Sequence, residues 1–471
     1  MRQRGWQFMR FAQIVGILTI LAVPLPCARG QEEAPSPSPG EEEPSLSDDT
    51  PRFSTEEGEE PDLDESRLIT RLLHLDKCGL TFEGTLLYDV TSNFMGGRKP
   101  GYTRGQNLLN LGIVADLEKM CGVEKGTVFL LFQSHRGNNA HAYAGDEQFF
   151  DQLDAVPYPD RGQLSEAWWQ QYFFDDKLRL KIGKVDANEE FAYVTNGLDF
   201  IHGAFGNAPT IFLLPTYPDP ATGINVFLYP NEKYYAGFGL YDGSFSRGVA
   251  TGRRGPETFF EAPATYFLIG ELGRNYKFGK NELEGRIAVG YWLSTGKFLD
   301  YSRLETAFLR RGDQTVRIPE QIFEPTHGTG GWYVVWDHPF WKENPEDKED
   351  KQGIAGFYQF GSADPRITIF ETYHGIGVTW TGFQQSRDED VIGFGIAYSG
   401  FSDDPRAVNI RREPYRIEPI PGNEIAYQWF YKRKAGKFLT LQPNLTYVHD
   451  PGQDRAYKDV IALTMRFIVD F

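Results

Sequence analysis

The chain has 471 residues, and its 65 acidic and 48 basic side chains give a net charge of −17 at pH 7. Residues 1–30 contribute +4 and residues 31–66 contribute −13, so residues 67–471 carry only −8. A mildly acidic body lacks the basic surface of a nucleic-acid-binding protein, and we predict no nucleic-acid partner.

The first 30 residues are predicted to be a secretory signal peptide. The basic start MRQRGWQFMR precedes the apolar run FAQIVGILTILAV, and Ala28-Arg29-Gly30 offers a small-x-small cleavage site. The apolar run is short for a membrane-spanning helix, although an anchor helix left in place is the alternative.

Residues 31–66 are predicted to be a disordered tail. They contain fourteen Asp or Glu residues against one Arg, together with many Pro and Ser residues. Such a segment buries too little apolar surface to offset its conformational entropy, and its like charges repel one another.

Residues 67–471 show near-alternating apolar and polar residues throughout, with abundant glycine and aromatic residues and no break in composition. This pattern predicts an all-β fold, a transmembrane antiparallel β-barrel of about 16 strands, an even number as bacterial single-chain barrels have. The predicted strands are 82–90, 108–117, 127–135, 167–174, 177–184, 224–230, 234–241, 264–272, 282–293, 331–337, 353–361, 374–382, 391–400, 424–433, 437–448 and a terminal strand that ends at Phe471.

Short connections alternate with long ones along these strands. Because outer-membrane barrels have short periplasmic turns and long external loops, both ends of the barrel segment are predicted to be periplasmic. One connection, 338–352, is long for a turn. The long segment 185–223 is rich in Gly, Pro and aromatic residues, and we expect it to fold inward and narrow the channel.

The last strand has one apolar face, and alternation predicts that this face contacts lipid. It ends on Phe471. A carboxy-terminal aromatic residue is typical of strands that the barrel-assembly machinery recognises, so Phe471 is predicted to be the assembly signal and that machinery a partner.

Two cysteines follow the predicted signal peptide. Cys78 precedes the first strand and Cys121 lies in the turn after the second, so both are expected at the periplasmic rim. Because the periplasm is oxidising, we predict a disulfide between them, with two unpaired thiols as the alternative.

Catalytic patterns are weak. No histidine spacing matches a zinc motif, and the glycine-rich GFGLYDG (237–243) lies inside a strand with no helix after it. The adjacent acids Glu189 and Glu190 are expected to point apart on an extended chain and not to form a catalytic pair. We predict no enzyme activity, no cofactor and no metal.

Charged and aromatic residues on the predicted lumen side are the candidates for the channel. Such side chains at a constriction create a field across a pore, and an aromatic ring beside polar groups suits sugars. The alternative is that they only solvate and brace the barrel wall. The candidates are Arg179, Lys181, Lys184, Asp186, Glu282, Glu284, Arg286, Trp168 and Trp169, and alternation places one of the two tryptophans inside and the other outside.

Several motifs resemble the carbohydrate-selective porins of the OprB family. They are GKVDANEEFA (183–192), FIHGAFGNAP (200–209), YPDPATGINVFLYP (217–230), YYAGFGLYDG (234–243) and EIAYQWFYKRKAGKFLTLQPNLTYVHDPG (424–452). The resemblance spans about 80–471. It implies a sixteen-stranded outer-membrane porin that passes sugars by facilitated diffusion, without cofactor or energy source, with selectivity from charged and aromatic constriction residues. The acidic tail is not a feature of that family.

Two other functions remain open from the residues alone. Lumen charges of both signs also fit a non-selective or ion-selective pore. The long loops also fit a barrel-mounted adhesin, because binding functions usually reside in loops. A monomer and a homo-oligomer are both compatible with an apolar barrel exterior.

Overall fold

The computed structural model describes residues 68–156, 160–300, 325–347, 350–402, 422–453 and 457–471. The predicted signal peptide and acidic tail lie outside the described residues.

The sixteen predicted strands are all present, and they form one closed antiparallel barrel in which each strand pairs with its sequence neighbours and β1 pairs with β16. Because the barrel is closed, the backbone N–H and C=O groups of every strand are hydrogen-bonded to a neighbouring strand, as a sheet in a lipid bilayer requires. The strands are β1 (Leu80–Met95), β2 (Tyr102–Asp116), β3 (Gly126–Gly137), β4 (Arg161–Phe173), β5 (Leu178–Val185), β6 (Ala221–Asn231), β7 (Tyr234–Asp242), β8 (Tyr266–Phe278), β9 (Leu283–Phe298), β10 (Thr326–Lys342), β11 (Gly353–Ala363), β12 (Phe370–Thr381), β13 (Val391–Phe401), β14 (Asn423–Lys434), β15 (Leu439–His449) and β16 (Val460–Asp470).

Short helices lie outside the strands. In the described ranges they are α1 (Leu68–Leu72), α2 (Leu117–Cys121), α3 (His141–Ala144) and α4 (Thr251–Arg254). Asp116 begins α2 as its N-cap, because its carboxylate accepts hydrogen bonds from the backbone N–H groups of Glu118 and Lys119. None of the helices that the structure describes is long and apolar enough to cross a membrane.

The two faces of each strand differ as alternation predicts. On β9, Ile287, Val289 and Tyr291 are 42%, 48% and 57% exposed, whereas Ala288 and Trp292 are buried. The exposed apolar side chains point outward, where a bilayer would cover them, and the interleaved residues point into the barrel.

The connections are sorted by length between the two ends of the barrel. The long connections after β3 and after β5 begin at one end of the barrel, and short turns such as 174–177 and 435–438 lie at the other. The connection predicted as 338–352 is shorter than expected because β10 continues to Lys342. We take the end with long loops as external and the other as periplasmic.

The loop between β5 and β6, residues 186–220, folds into the barrel as expected. Its Phe191, Phe200 and Phe205 are almost completely buried. The ring of Phe200 packs 5.6 Å from that of Phe357 on β11 and 5.0 Å from that of Phe430 on β14. The apolar core of the protein therefore lies inside the barrel, between this inner loop and the wall.

Phe471 completes the seam between β1 and β16. Its backbone exchanges two hydrogen bonds with Gly84, at 2.9 and 3.0 Å. Its ring lies so close to Gly84 that a Cβ on that residue would be 2.4 Å from the ring. Only glycine leaves room for this arrangement, whereas the role of Phe471 in assembly stays a prediction.

The predicted disulfide is not formed in the structure, and this prediction is wrong for the state described. Cys78 and Cys121 lie in neighbouring segments at the periplasmic end, but they are not bridged. The thiol of Cys121 instead donates to the carbonyl oxygen of Leu117, one turn earlier in its own helix.

Candidate functional site

The carboxylate of Glu190, on the inner loop, lies between two cations of β5. Arg179 and Lys181 both donate to it, one to each oxygen. All three side chains are at most 3% exposed. Arg179 and Lys181 share the inward face of β5 because they are two residues apart.

Burial would raise the pKa of the Glu190 carboxyl, but the charges of Arg179 and Lys181 outweigh it and hold that pKa below its ordinary value. Glu190 is therefore ionised at neutral pH and neutralises part of the charge that β5 presents to the interior.

Aromatic rings cover the same cations. The ammonium of Lys181 lies 4.1 Å from the ring centroid of Trp168 on β4, and the guanidinium of Arg179 lies 4.4 Å from that of Phe227 on β6. Trp168 is buried and inward, whereas Trp169 is on the outer face. The structure thus decides which of the two predicted tryptophans is inside.

Lys184 and Asp186 fix the start of the inner loop. The ammonium of Lys184 donates to the carbonyl oxygens of Leu164 and Gly252. The carboxylate of Asp186 accepts from the backbone N–H groups of Asn188, at 2.9 Å, and Tyr217, at 2.8 Å, which ties the beginning of the loop to its end. Both residues act on backbone groups.

Arg286, on β9, is the centre of a second cluster. Its guanidinium donates to the hydroxyl of Tyr235 at 3.0 Å and to the carbonyl oxygen of Tyr193 on the inner loop at 2.6 Å. It also lies 4.0 Å from the centroid of the Tyr193 ring. Glu271 is 3.8 Å away, and its carboxylate accepts from the hydroxyls of Tyr235 and Tyr333.

Other inward polar side chains anchor the same loop across the barrel. Asp337 on β10 accepts from the backbone N–H groups of Thr195 and Asn196. Gln428 on β14 accepts from those of Ile201 and His202. These amides would otherwise be buried without partners, so the wall supplies the hydrogen bonds that an irregular loop lacks.

Lys432 and Asp199 form an anchor of a different kind. The ammonium of Lys432, on β14, lies 2.7 Å from the carboxylate of Asp199, on the inner loop. Their side chains remain 33% and 30% exposed. This pair is therefore accessible to solutes inside the barrel, unlike Arg179 and Lys181.

The loop between β3 and β4 also folds inward. Arg466 of β16 donates to Asp89 on β1 and, at 3.2 Å, to Asp151 in this loop. Glu424 of β14 accepts from the backbone N–H groups of Glu147 and Gln148 at 3.1 Å.

Glu282 and Glu284 lie apart from these clusters. Both are at the β8–β9 hairpin on the periplasmic side, with side chains 71% exposed, and the ammonium of Lys277 is 3.3 Å from Glu282 and 3.9 Å from Glu284. Their prediction as constriction residues is wrong in position. Glu284 is on the same face of β9 as Arg286, but β9 begins at Leu283, so Glu284 lies at the rim of the barrel and not inside it.

Sequence reasoning missed Glu190, Glu271 and Asp337 as partners of the predicted cations. The expectation for Glu189 and Glu190 assumed an extended chain, but Ala187–Glu189 form a 3-10 turn that Glu190 ends, and the Glu190 side chain turns towards β5. Glu271 lies on the inward face of β8 by simple alternation, so the period of β8 would have found it.

One group of described residues has the spacing of a cation site. Ligand atoms of His449, Asp450 and Asp459 lie within 4.8 Å of one another at the external end of β15. Asp459 already accepts hydrogen bonds from His449 at 3.1 Å and from the hydroxyl of Tyr447 at 2.6 Å. The cluster is satisfied by its own contacts, so we assign no metal to it.

Residues 103–471 match the family model described as "Carbohydrate-selective porin, OprB family". Among curated proteins, Porin B of Pseudomonas aeruginosa is 26% identical over 394 residues, which cover 79% of this chain and 84% of that protein. The putative porin QuiX of Acinetobacter baylyi is 21% identical over 415 residues, which cover 83% and 90% of the two chains.

Among solved structures, the high-pH structure of Pseudomonas putida OprB is similar to this chain with a TM-score of 0.70 and 20% identity. The match covers 85% of this chain and 96% of that one. This likeness supports the fold.

Proposed function

The chain belongs to the OprB family of carbohydrate-selective porins, and we propose that it is an outer-membrane channel through which carbohydrates diffuse passively. The family and the fold are those of channels. A closed barrel with an apolar exterior and a polar interior is the form that bacterial porins take.

The observation that carries the proposal is the inner loop, residues 186–220, which crosses the barrel interior. It is anchored on β5 through Glu190, on β9 through Arg286 and on β14 through Asp199. A solute that enters the barrel must pass beside this loop. The loop and the wall that faces it therefore form the proposed constriction.

Buried and accessible groups have different roles in this proposal. Arg179 and Lys181 share the carboxylate of Glu190 away from solvent, and these contacts hold the loop in place. The half-buried Tyr193 and the half-exposed Asp199–Lys432 pair are the groups we assign to solute contact.

The chemistry of these groups suits sugars. A tyrosine ring offers an apolar surface to the C–H groups of a pyranose, and a carboxylate beside an ammonium both accepts and donates hydrogen bonds to hydroxyls. Weak, multiple contacts of this kind favour entry without trapping the solute, which passive diffusion requires.

The test is swelling of liposomes that contain the refolded protein, in isosmotic sugars with amino acids of similar size as controls. We expect faster swelling in monosaccharides than in the amino acids. Equal rates for both would indicate a general pore, and no swelling from folded protein would contradict the channel itself.

A matched pair of variants locates the selectivity. Asp199→Asn is expected to lower the ratio of the sugar rate to the amino-acid rate. Glu389→Gln removes a carboxylate that pairs with Lys434 at 3.3 Å on the exposed periplasmic side, and it should leave the ratio unchanged. An unchanged ratio in Asp199→Asn would contradict the assigned contact.

A further inference from the structure

A basic and aromatic group lies on the inner wall at the external end of the barrel. Tyr102, the first residue of β2, has its ring centroid 4.4 Å from that of Tyr143 in α3. The guanidinium carbon of Arg104 lies 3.5 Å from the Tyr102 centroid, and the ammonium of Lys99 lies 5.8 and 5.5 Å from the two rings. We call these four residues the external site.

The external site faces the interior. Tyr102 pairs with Asn93 and Arg104 pairs with Thr91 across the β1–β2 ladder, and Asn93 and Thr91 are buried inward residues. Both Tyr102 and Arg104 line a pocket, together with Asn138 and Tyr143 of the loop between β3 and β4. A solute that enters from outside meets this pocket before it reaches the inner loop.

The charge of the external site is not neutralised by the described residues. Inward arginines elsewhere have carboxylates: Arg161 has Asp219 at 2.8 Å, Arg466 has Asp89 at 2.7 Å, and Arg179 has Glu190. In the part of the chain that the structure describes, neither Arg104 nor Lys99 forms an ion pair with an acidic side chain.

Hydrogen-bond donors at the external site remain available. Arg104 uses Nη1 for the carbonyl oxygen of Thr103, at 2.8 Å, and its Nε and Nη2 have no acceptor among the described residues. The Asn138 side chain is exposed, and its amide nitrogen likewise makes no bond within the described ranges. The Asn93 amide donates to the carbonyl oxygen of Lys99 at 3.3 Å, which holds the Lys99 backbone near the rings.

From this arrangement we infer that the external site is a recognition subsite for acidic sugars, which carry a carboxylate on a polyhydroxylated ring. The planar guanidinium of Arg104 presents paired donors that match a carboxylate, and its stacking on Tyr102 limits the conformational freedom lost on binding. Lys99 adds charge, and Asn138 and the Tyr143 ring meet the hydroxyls and the ring of the sugar.

The inference rests on the proposed transport function and adds a substrate class to it. Unlike Arg179, Arg104 pairs with no carboxylate among the residues that the structure describes, so an anionic solute supplies the partner. The expected attraction is electrostatic at a partly exposed site, and it should weaken as salt is added.

The experiment measures block of ion current through the full mature protein in planar bilayers at low ionic strength. Sodium glucuronate, glucose and sodium acetate are titrated in turn, at matched ionic strength for the two salts. Glucuronate is expected to halve the current at a concentration at least threefold lower than glucose or acetate. If acetate equals glucuronate, the site takes any carboxylate and the sugar assignment is overturned.

Variants locate the effect. In Arg104→Gln, the glucuronate concentration that halves the current should rise to the value for glucose. In Arg104→Lys, which keeps the charge but loses the planar guanidinium, that concentration should be intermediate. Arg274→Gln is the matched control, because Arg274 lies 5.7 Å from the Tyr234 ring on the exposed outer side of β8. Unchanged glucuronate block in Arg104→Gln overturns the inference.

The two proposals fail separately. Glucose-driven liposome swelling by the unmodified protein and by Arg274→Gln reports the channel, and the two rates should match, whereas semi-native gel electrophoresis reports whether Arg104→Gln is folded. Loss of the glucuronate preference in folded Arg104→Gln, with the preference kept in Arg274→Gln, supports the external site. Normal glucose swelling by the unmodified protein, with no glucuronate preference in that protein, leaves the carbohydrate channel standing and removes the external site.

Discussion

Lys181 and Glu190, which are nine positions apart in the chain, form a buried ion pair. Lys181 points inward from β5, and the chain leaves that strand at Val185, turns into the barrel and brings Glu190 back to the same face. The inner loop is thus attached to the strand from which it starts, and its path across the barrel begins from a fixed point.

We expect Glu190→Gln to destabilise the folded barrel. The change leaves Arg179 and Lys181 buried without a counter-charge, and removal of one partner from a buried pair typically costs about 3 to 5 kcal/mol. The measurement is the temperature at which the folded form is lost on semi-native gel electrophoresis, which should fall for this variant.

Glu284→Gln is the control for that measurement. Its carboxylate is 71% exposed and 3.9 Å from Lys277, so its loss should change the transition little. Equal transition temperatures for Glu190→Gln and the unmodified protein would show that Glu190 does not hold the loop.

His202 predicts a loss of stability on mild acidification. Burial lowers the pKa of His202 to about 4, despite Asp146 at 3.8 Å, and the neighbouring His141 lowers it further. In the unfolded chain, the His202 imidazole binds a proton below its ordinary pKa of about 6.5, whereas in the folded protein it stays neutral down to about pH 4. The stability of the folded protein therefore falls as the pH falls from about 6.5 to about 4. The contribution is up to roughly 3 kcal/mol.

The check is the pH dependence of the thermal transition in the unmodified protein and in His202→Asn. In the unmodified protein, the backbone N–H of Ala204 donates a hydrogen bond to His202 Nδ1 at 3.4 Å. The side-chain oxygen of asparagine can accept the same hydrogen bond. The variant should lose less stability between pH 7 and 4. Burial lowers the pKa of His141 as well, but its contact with Asp146 raises that pKa overall, so both proteins share this opposite contribution.

Arg286→Lys should disturb the constriction. The single nitrogen of lysine cannot take the place of the two guanidinium nitrogens that reach Tyr235 and the carbonyl oxygen of Tyr193, and lysine lacks the planar contact with the Tyr193 ring. We expect altered single-channel conductance with retained barrel content in circular dichroism. Arg274→Lys, on the outer face, should conduct as the unmodified protein does, and the same conductance in both variants would argue against Arg286 as a loop anchor.

Phe471→Ala should lower the amount of barrel that reaches the outer membrane, by removing the predicted assembly signal. Gly84→Ala separates recognition from packing, because it keeps Phe471 but forces its ring away from a Cβ that would lie 2.4 Å from it. If recognition dominates, Gly84→Ala assembles normally and shows only a lower thermal transition.

Gly436→Ala is the matched glycine control, since a Cβ there meets no atom within 4 Å. Membrane fractions probed by immunoblot give the amounts. Normal levels of Phe471→Ala in the outer membrane would remove the assembly role.

The strands could be predicted from the sequence because the side-chain period of an extended chain is local. All sixteen strands, the inward position of Arg179 and Lys181, and the sorting of loops follow from alternation and spacing. Alternation does not show where a hairpin ends, so it does not give the strand ends, and the predicted position of Glu284 at the constriction is wrong for this reason.

The sequence by itself determined which face of each strand is polar and where the chain turns, since backbone geometry and residue type decide both. Only the tertiary structure decided the partners. Glu190 meets β5, Asp337 meets the amides of the inner loop, and Arg104 has no carboxylate partner within the described ranges of the chain. These pairings depend on the path of two long loops through the barrel, and that path is fixed by many weak contacts between residues far apart in the chain.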